Sequence, residues 1–451
     1  MGERRAFLID ARRTRMLRVL RYRYVSPRVL RRTLLFWGGA VLVSAIAMAF
    51  AWAANGAAGL FGRAVAARAW LPFIVSPAGL ALSVWLTRTV FPGAQGSGIP
   101  QTIAALHLGD APLVDRILSL RIAVGKVCLT LLGLLCGAAI GREGPTVQIG
   151  AAVMHTLGRL ARLPTPELRR ALILAGGAAG IAAAFNTPLA GVVFAIEELS
   201  RSFEARTNGI VLTAVILAGA TSVAVLGNYT YFGTASAALP FGSGWLAVPL
   251  CSVAGGLLGG LFARALILAA DGWTGAFGRF FGRRPVAFAV LCGLAIAVLG
   301  TVSGGTTFGT GYEQARALIA GTAHLPAVYA ILKLLATVVS YVSGIPGGIF
   351  APSLAVGAGV GAALAHLLPS APLGAVILLG MVAYFSGAVQ APITAAVIVM
   401  EMTDNQTVTV ALMATSAFAF AVSRLICPRA LYGALAERFL AAQGVTLKDV
   451  E

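Results

Sequence analysis

Apolar residues run through this chain in long blocks, with no short-period alternation. Residues 34–60, 117–140, 171–196, 286–302 and 371–400 are nearly free of charge. A helix needs about 20 such residues to cross a bilayer. The blocks therefore predict a polytopic helical membrane protein. They are also interrupted: the chain holds 54 glycines and 20 prolines, and several blocks read as half-helices. Broken helices at membrane depth are tolerated where the freed backbone is buried in protein or lines a cavity.

Composition agrees with the pattern. Hydrophobic residues make up 58% of the 451, charged residues 11%, and the mean hydropathy is +0.87. So little polar sequence predicts one membrane domain with no appended soluble domain. The first 32 residues carry eleven arginines against Glu3 and Asp10, half of the net charge of +18. That leader reads as cytoplasmic by the positive-inside bias and suits anionic lipid headgroups. Hydrophobic spans follow it at once, which argues against nucleic acid as its partner, and its extent argues against a cleavable signal peptide. The expected organisation is a basic cytoplasmic segment (1–32), a membrane domain (33–440) whose halves meet near 230–245, and a short cytoplasmic tail (441–451). Cys128, Cys136, Cys251, Cys292 and Cys427 stand singly among apolar neighbours and the four histidines are isolated, so small buried side chains are expected rather than a metal site, cofactor site or disulfide framework.

An internal repeat crosses the blocks. "FNTPLAGVVFAIEE" from Phe185 lies over "VQAPITAAVIVMEM" from Val389 at an offset of 204, matching Pro188 to Pro392 and Glu197 to Glu401. Upstream the offset is 207, matching Lys126 to Lys333, Pro145 to Pro352, Gly150 to Gly357 and Glu143 to Phe350. Repeats with broken helices are a transporter pattern.

The sixteen acids sort by surroundings. Asp110, Asp115, Glu167, Glu204, Asp271 and Glu313 lie in polar or turn-like stretches and are expected to face water. Glu143, Glu197, Glu198 and Glu401 sit in apolar runs, where an ionisable residue is a functional candidate. Glu143 belongs to "GREGP" (141–145): glycines that allow close backbone approach, then a proline suited to a first helical turn. Free amides at a helix start form an anion site. A carboxylate carried at that start becomes a tethered competitor for a permeating anion, and protonation or an outward swing would vacate the site. "GSGIP" (96–100), "GGIFAP" (347–352) and "PRALYGAL" (428–435) add a serine hydroxyl, further backbone amides and Tyr432. Hydroxyls and amides without a basic cluster favour a small, weakly held, partly dehydrated anion.

In this order, "GSGIP", "GREGP", "GGIFAP" and the late tyrosine resemble the CLC family of chloride channels and chloride/proton antiporters, with "AAFNTPLAGVVFAIEE" and "VIVMEMTDN" fitting it too. The resemblance runs from about Val90 to Leu440. It implies an all-α membrane fold of about eighteen tilted or broken helices in two inverted repeats. It further implies a homodimer with one pore per subunit, in a prokaryotic inner membrane with both termini cytoplasmic. Carried over residue by residue, Ser97 and Tyr432 would donate hydroxyls to the anion and Ile349 and Phe350 backbone amides. Glu143 would be the gate, and Glu198, fifty-five positions on, the internal proton-transfer site. Serine in "GSGIP" suits chloride; nitrate-preferring members carry proline there, and fluoride-exporting members lack the serine motif. Gln101 and Ile103 stand where the family often has acids, which puts auxiliary inner carboxylates in doubt. The chain ends soon after Tyr432, leaving no room for the family's paired CBS domains, so nucleotide regulation is not expected.

Coupled chloride/proton exchange is the leading expectation, since both Glu143 and Glu198 are kept. A passive chloride channel on the same scaffold is the alternative. An organic-solute carrier would need a wider polar or basic pocket. An enzyme would need a nucleophile–base pair, metal cluster or phosphate loop, and the sequence offers none.

Overall fold

The computed structural model describes residues 27–445 apart from short stretches at 109–110, 164, 201–207, 228–229, 234–236, 240, 273–277 and 279–281. The basic leader up to residue 26 lies outside the described residues, as do Asp110 and Glu204. The first half is built from α1 (Pro27–Ala67), α2 (Pro72–Thr89), α3 (Ile99–His107), α4 (Ala111–Ile117), α5 (Leu120–Leu135), α6 (Glu143–Leu160), α7 (Pro166–Phe185), α8 (Pro188–Phe194) and α9 (Asn208–Leu226). A π-helical turn, Ala195–Ser200, extends α8. The second half comprises α10 (Ala247–Asp271), α11 (Pro285–Val302), α12 (Tyr312–Ile319), α13 (Tyr329–Val342), α14 (Phe350–Ala365), α15 (Leu373–Val389), α16 (Pro392–Thr403) and α17 (Thr409–Ile426), with α18 (Leu431–Ala441) closing the chain.

Seven helical segments among the described residues are long and apolar enough to cross a membrane, and four shorter helices are apolar as well. The blocks at 171–196 and 371–400 do break. Each is a long helix that stops at a left-handed residue, Asn186 (φ 58°) or Gln390 (φ 61°), before a proline-initiated helix. Those two stops are 204 positions apart, so the repeat in the sequence is a repeat in backbone conformation. Small residues let the helices touch backbone to backbone, the packing expected in lipid. Gly150 of α6 meets the Gly176 carbonyl of α7, and at the equivalent place Gly357 of α14 meets that of Gly380 in α15.

Gly141 and Gly348, 207 positions apart, exchange both backbone hydrogen bonds in an antiparallel bridge, at 2.6 and 2.7 Å. Equivalent residues that bond each other reciprocally straddle a local two-fold axis. The two halves are thus related by a local two-fold axis where the starts of α6 and α14 meet.

Several single-residue expectations need correction. Asp115 and Asp271 do not simply face water. Asp115 accepts from buried His155 at 2.7 Å and pairs with Arg159 at 3.3 Å; His155 is therefore not isolated. Asp271 is held by Arg429 at 3.1 Å and Arg438 at 2.6 Å, which ties the end of α10 to α18. Cys128 is exposed, whereas the other four cysteines are buried.

Candidate anion site

Three glycine-rich loops meet at one place. Gly347 N–H donates to the Gly96 carbonyl at 3.2 Å, joining the "GSGIP" and "GGIFAP" loops beside the Gly141–Gly348 bridge. Gly98 has φ +103°, and a Cβ there would lie 2.8 Å from the Gly144 carbonyl oxygen. Only glycine combines that backbone angle with that approach. A Cβ on Gly144 would run into the Ser97 hydroxyl. The glycines in these motifs are what let the three loops converge.

Helix starts point into the junction. Glu143 is the first residue of α6 after Arg142, and Phe350 the first residue of α14 after Ile349. In each case the first amides have no helical carbonyl to bond. The Glu143 carboxylate is fully buried over Gly141. It faces the amides of Arg142, Glu143 and Ala351, one helix start from each half, although neither oxygen attains hydrogen-bond geometry. Ser97 and Tyr432 are also fully buried. Their hydroxyls adjoin each other, again without a hydrogen bond in good geometry to the protein. The charges of both Glu143 and Glu198 reach the Tyr432 hydroxyl. Ser97, Glu143, Ile349, Phe350 and Tyr432 therefore share one site, with Glu198 buried in the π-helical turn on its flank. Among the described residues no cluster of side chains offers a metal site.

Aromatic rings fix this wall. The Phe350 ring lies 4.8 Å from Phe385, 5.9 Å from Tyr432, 6.0 Å from Phe194 and 6.3 Å from Phe185. The Phe350 side chain thus anchors the start of α14. Lys126 and Lys333, matched in the repeat, hold loop carbonyls. Lys126 donates to Gln95 at 3.3 Å and Gly96 at 2.9 Å; Lys333 donates to Thr307 at 2.9 Å and Gly309 at 2.7 Å. Arg142 turns away to the Ala51 carbonyl and the Asn55 side chain, at 2.6 and 2.8 Å. Gln101 sits near the "GSGIP" turn, donating to Gln95 at 2.8 Å. These loop-fixing roles were not apparent from sequence.

Glu197 and Glu401 take a different task from Glu198. Glu197 accepts from Ile393 at 3.1 Å and Thr394 at 2.6 Å, capping α16. Glu401 accepts from Leu189 at 3.1 Å and Ala190 at 2.8 Å, capping α8. Each half thus supplies the cap for the other half's short helix. Glu197→Gln is expected to lower stability by roughly 1–2 kcal/mol, the low end for a bond to a charged group because the site is half-exposed. Thermal unfolding in detergent checks it, and an unaltered transition would remove the latch role.

Residues 79–424 match the family described as voltage gated chloride channel. The chain belongs to the CLC family. It is 32% identical over 392 residues to the H(+)/Cl(-) exchange transporter ClcA of Yersinia pestis bv. Antiqua (strain Angola), covering 83% of this chain and 79% of that one. The ClcA of Citrobacter koseri is 32% identical over 395 residues, covering 83% and 80%. Among solved structures, a slow cyanobacterial Cl-/H+ antiporter superposes with a TM-score of 0.79 at 28% identity, covering 92% of this CLC chain and 99% of the other. A CLC-type fluoride/proton antiporter gives a TM-score of 0.74 at 25% identity, covering 91% and 98%.

Proposed function

We propose that this CLC protein exchanges chloride for protons across a prokaryotic inner membrane. The observation that carries the reading is the Glu143 carboxylate, buried between amides from two opposed helix starts. A negative group already stands where backbone donors and helix dipoles favour an anion. Chloride and the carboxylate compete for that place, so chloride entry requires the carboxylate to leave, and protonation lets it leave. One proton is thereby tied to the passage of anions. Resemblance to exchange transporters on both sequence and structure supports the same reading.

In this scheme Ser97 and Tyr432 donate hydroxyls to chloride, and Ile349 and Phe350 donate backbone amides. Glu198 passes protons to and from the interior side, its charge and that of Glu143 both reaching Tyr432. The serine at position 97 supports chloride over fluoride or nitrate. The N-terminus is assigned to the cytoplasm on the strength of the basic leader, and the C-terminus to the same side by resemblance to the family. A second copy of the chain is expected against the face formed by α8, α9, α16 and α17. That face exposes Leu189, Ile216, Ile393 and Phe418, with Leu189 and Ile393 equivalent in the repeat.

Ser97→Pro is expected to shift preference toward nitrate, and Tyr432→Ala to weaken chloride binding. A hydrogen bond to a charged group contributes roughly 1.5–3 kcal/mol. Calorimetric affinities and anion-replacement fluxes check both, and unchanged values in both variants would remove these residues from the site. The reading as a whole is tested in liposomes given only a chloride gradient. Protons should move uphill. Chloride flux without proton movement would leave a passive channel, and no chloride flux would sink the reading.

A further inference from the structure

Tyr341 is a feature that neither the motifs nor the repeat picks out. It lies in the last turn of α13, half-buried against the main core. A Cβ built on Gly96 would lie 3.8 Å from its hydroxyl oxygen, and its hydroxyl lies within electrostatic range of that of Tyr432. Gly96 directly precedes Ser97. Three tyrosine or serine hydroxyls therefore gather at one helix start.

The backbone fixes this grouping. The Gly96 carbonyl accepts from Gly347 N–H at 3.2 Å and from the Lys126 ammonium at 2.9 Å. Tyr341 lies five positions before Pro346, which pairs with Gly96 in a parallel bridge. The end of α13 and the "GSGIP" loop are thus tied together. A cavity of about 700 Å³ opens beside them, lined by Gly93 and Gln95 on one side and Val342, Ser343 and Gly344 on the other. Arg88 and Arg116 line the same cavity and are both exposed, a charge pattern that raises local anion concentration.

We propose that the Tyr341 hydroxyl is a third hydroxyl donor to the permeating anion, set between the arginine-lined cavity and the Ser97–Tyr432 pair, and that it favours small, strongly hydrated anions. The proposal rests on the reading of the chain as a chloride transporter. A positioned O–H replaces a water that chloride must shed on entering. A large, weakly hydrated anion such as thiocyanate sheds water easily and gains less from it. The buried Lys126 side chain holds the Gly96 carbonyl close by, and the helix start of α3 adds its dipole.

The test is Tyr341→Phe, which keeps the ring and removes the donor. Chloride affinity by calorimetry should fall about tenfold, equivalent to about 1.4 kcal/mol, while thiocyanate affinity stays close to wild type. The unfolding temperature in chloride-free buffer should not move. Should that variant fail to fold, Tyr341→His keeps a ring and an N–H donor and is expected to retain the chloride preference. Combined with Ser97→Ala, the loss from Tyr341→Phe should be less than additive, because contacting donors to one ion couple. Unchanged chloride affinity in Tyr341→Phe, or equal losses for both anions, overturns the proposal while leaving the transport reading intact. A wild-type protein that neither binds nor moves chloride defeats the reading itself, and the proposal with it.

Discussion

Glu143→Ala should transport chloride freely and move no protons against their gradient. The wild-type carboxylate is buried at its own helix start, with the amides of Arg142 and Ala351 on either side. In the proposed scheme the ionised group holds the anion's place, and the protonated group loses its attraction for those amides and yields the place to chloride. Wild-type flux should therefore rise as pH falls through the group's titration, and the alanine variant should show a flat profile. Glu143→Gln removes the charge but keeps the bulk, so it should also uncouple, at a lower chloride rate. Paired chloride and proton electrodes on reconstituted liposomes read both quantities. Persistent uphill proton movement in Glu143→Ala would take that residue out of the gate.

Glu198→Gln should give the same split, with proton movement lost and chloride flux kept. Glu198 is buried in the π-helical turn after α8, next in sequence to a carboxylate with a wholly different role. Adjacent residues of a helical turn point in different directions. Glu197 accordingly reaches α16 as a cap, while the charge of Glu198 reaches Tyr432. Substituting one should cost stability; substituting the other should cost coupling. If Glu197→Gln abolished proton transport and Glu198→Gln remained coupled, the two roles would have to be exchanged. If both remained coupled, protons would be using a route that bypasses this turn.

Much of the site was legible in the sequence because it is written in local chemistry. Glycine, proline and lone polar residues in apolar blocks have few reasons to exist at membrane depth, so "GSGIP", "GREGP" and "GGIFAP" stood out. The offset of 207 put Glu143 opposite Phe350, and both proved to be first residues of equivalent helices. The pairing of Glu197 with Glu401 was legible as a shared role. What that role is was not, since a cap from one half to a helix about two hundred positions away has no local signature.

The sequence by itself determined the membrane setting, the broken helices, the repeat and the candidates for the site's acids and hydroxyls. Each follows from hydropathy, from backbone freedom at glycine and proline, or from the cost of burying charge. Only the tertiary structure decided how the copies meet. The Gly141–Gly348 bridge relates them by a local two-fold axis, the exchanged carboxylate caps lock α8 and α16, and Lys126 pins the serine loop. It also decided that Tyr341, unremarkable within "VVSYV", stands beside Gly96. Such contacts join residues far apart in the chain, so they are set by which helix faces pack together and not by the propensities of any one segment.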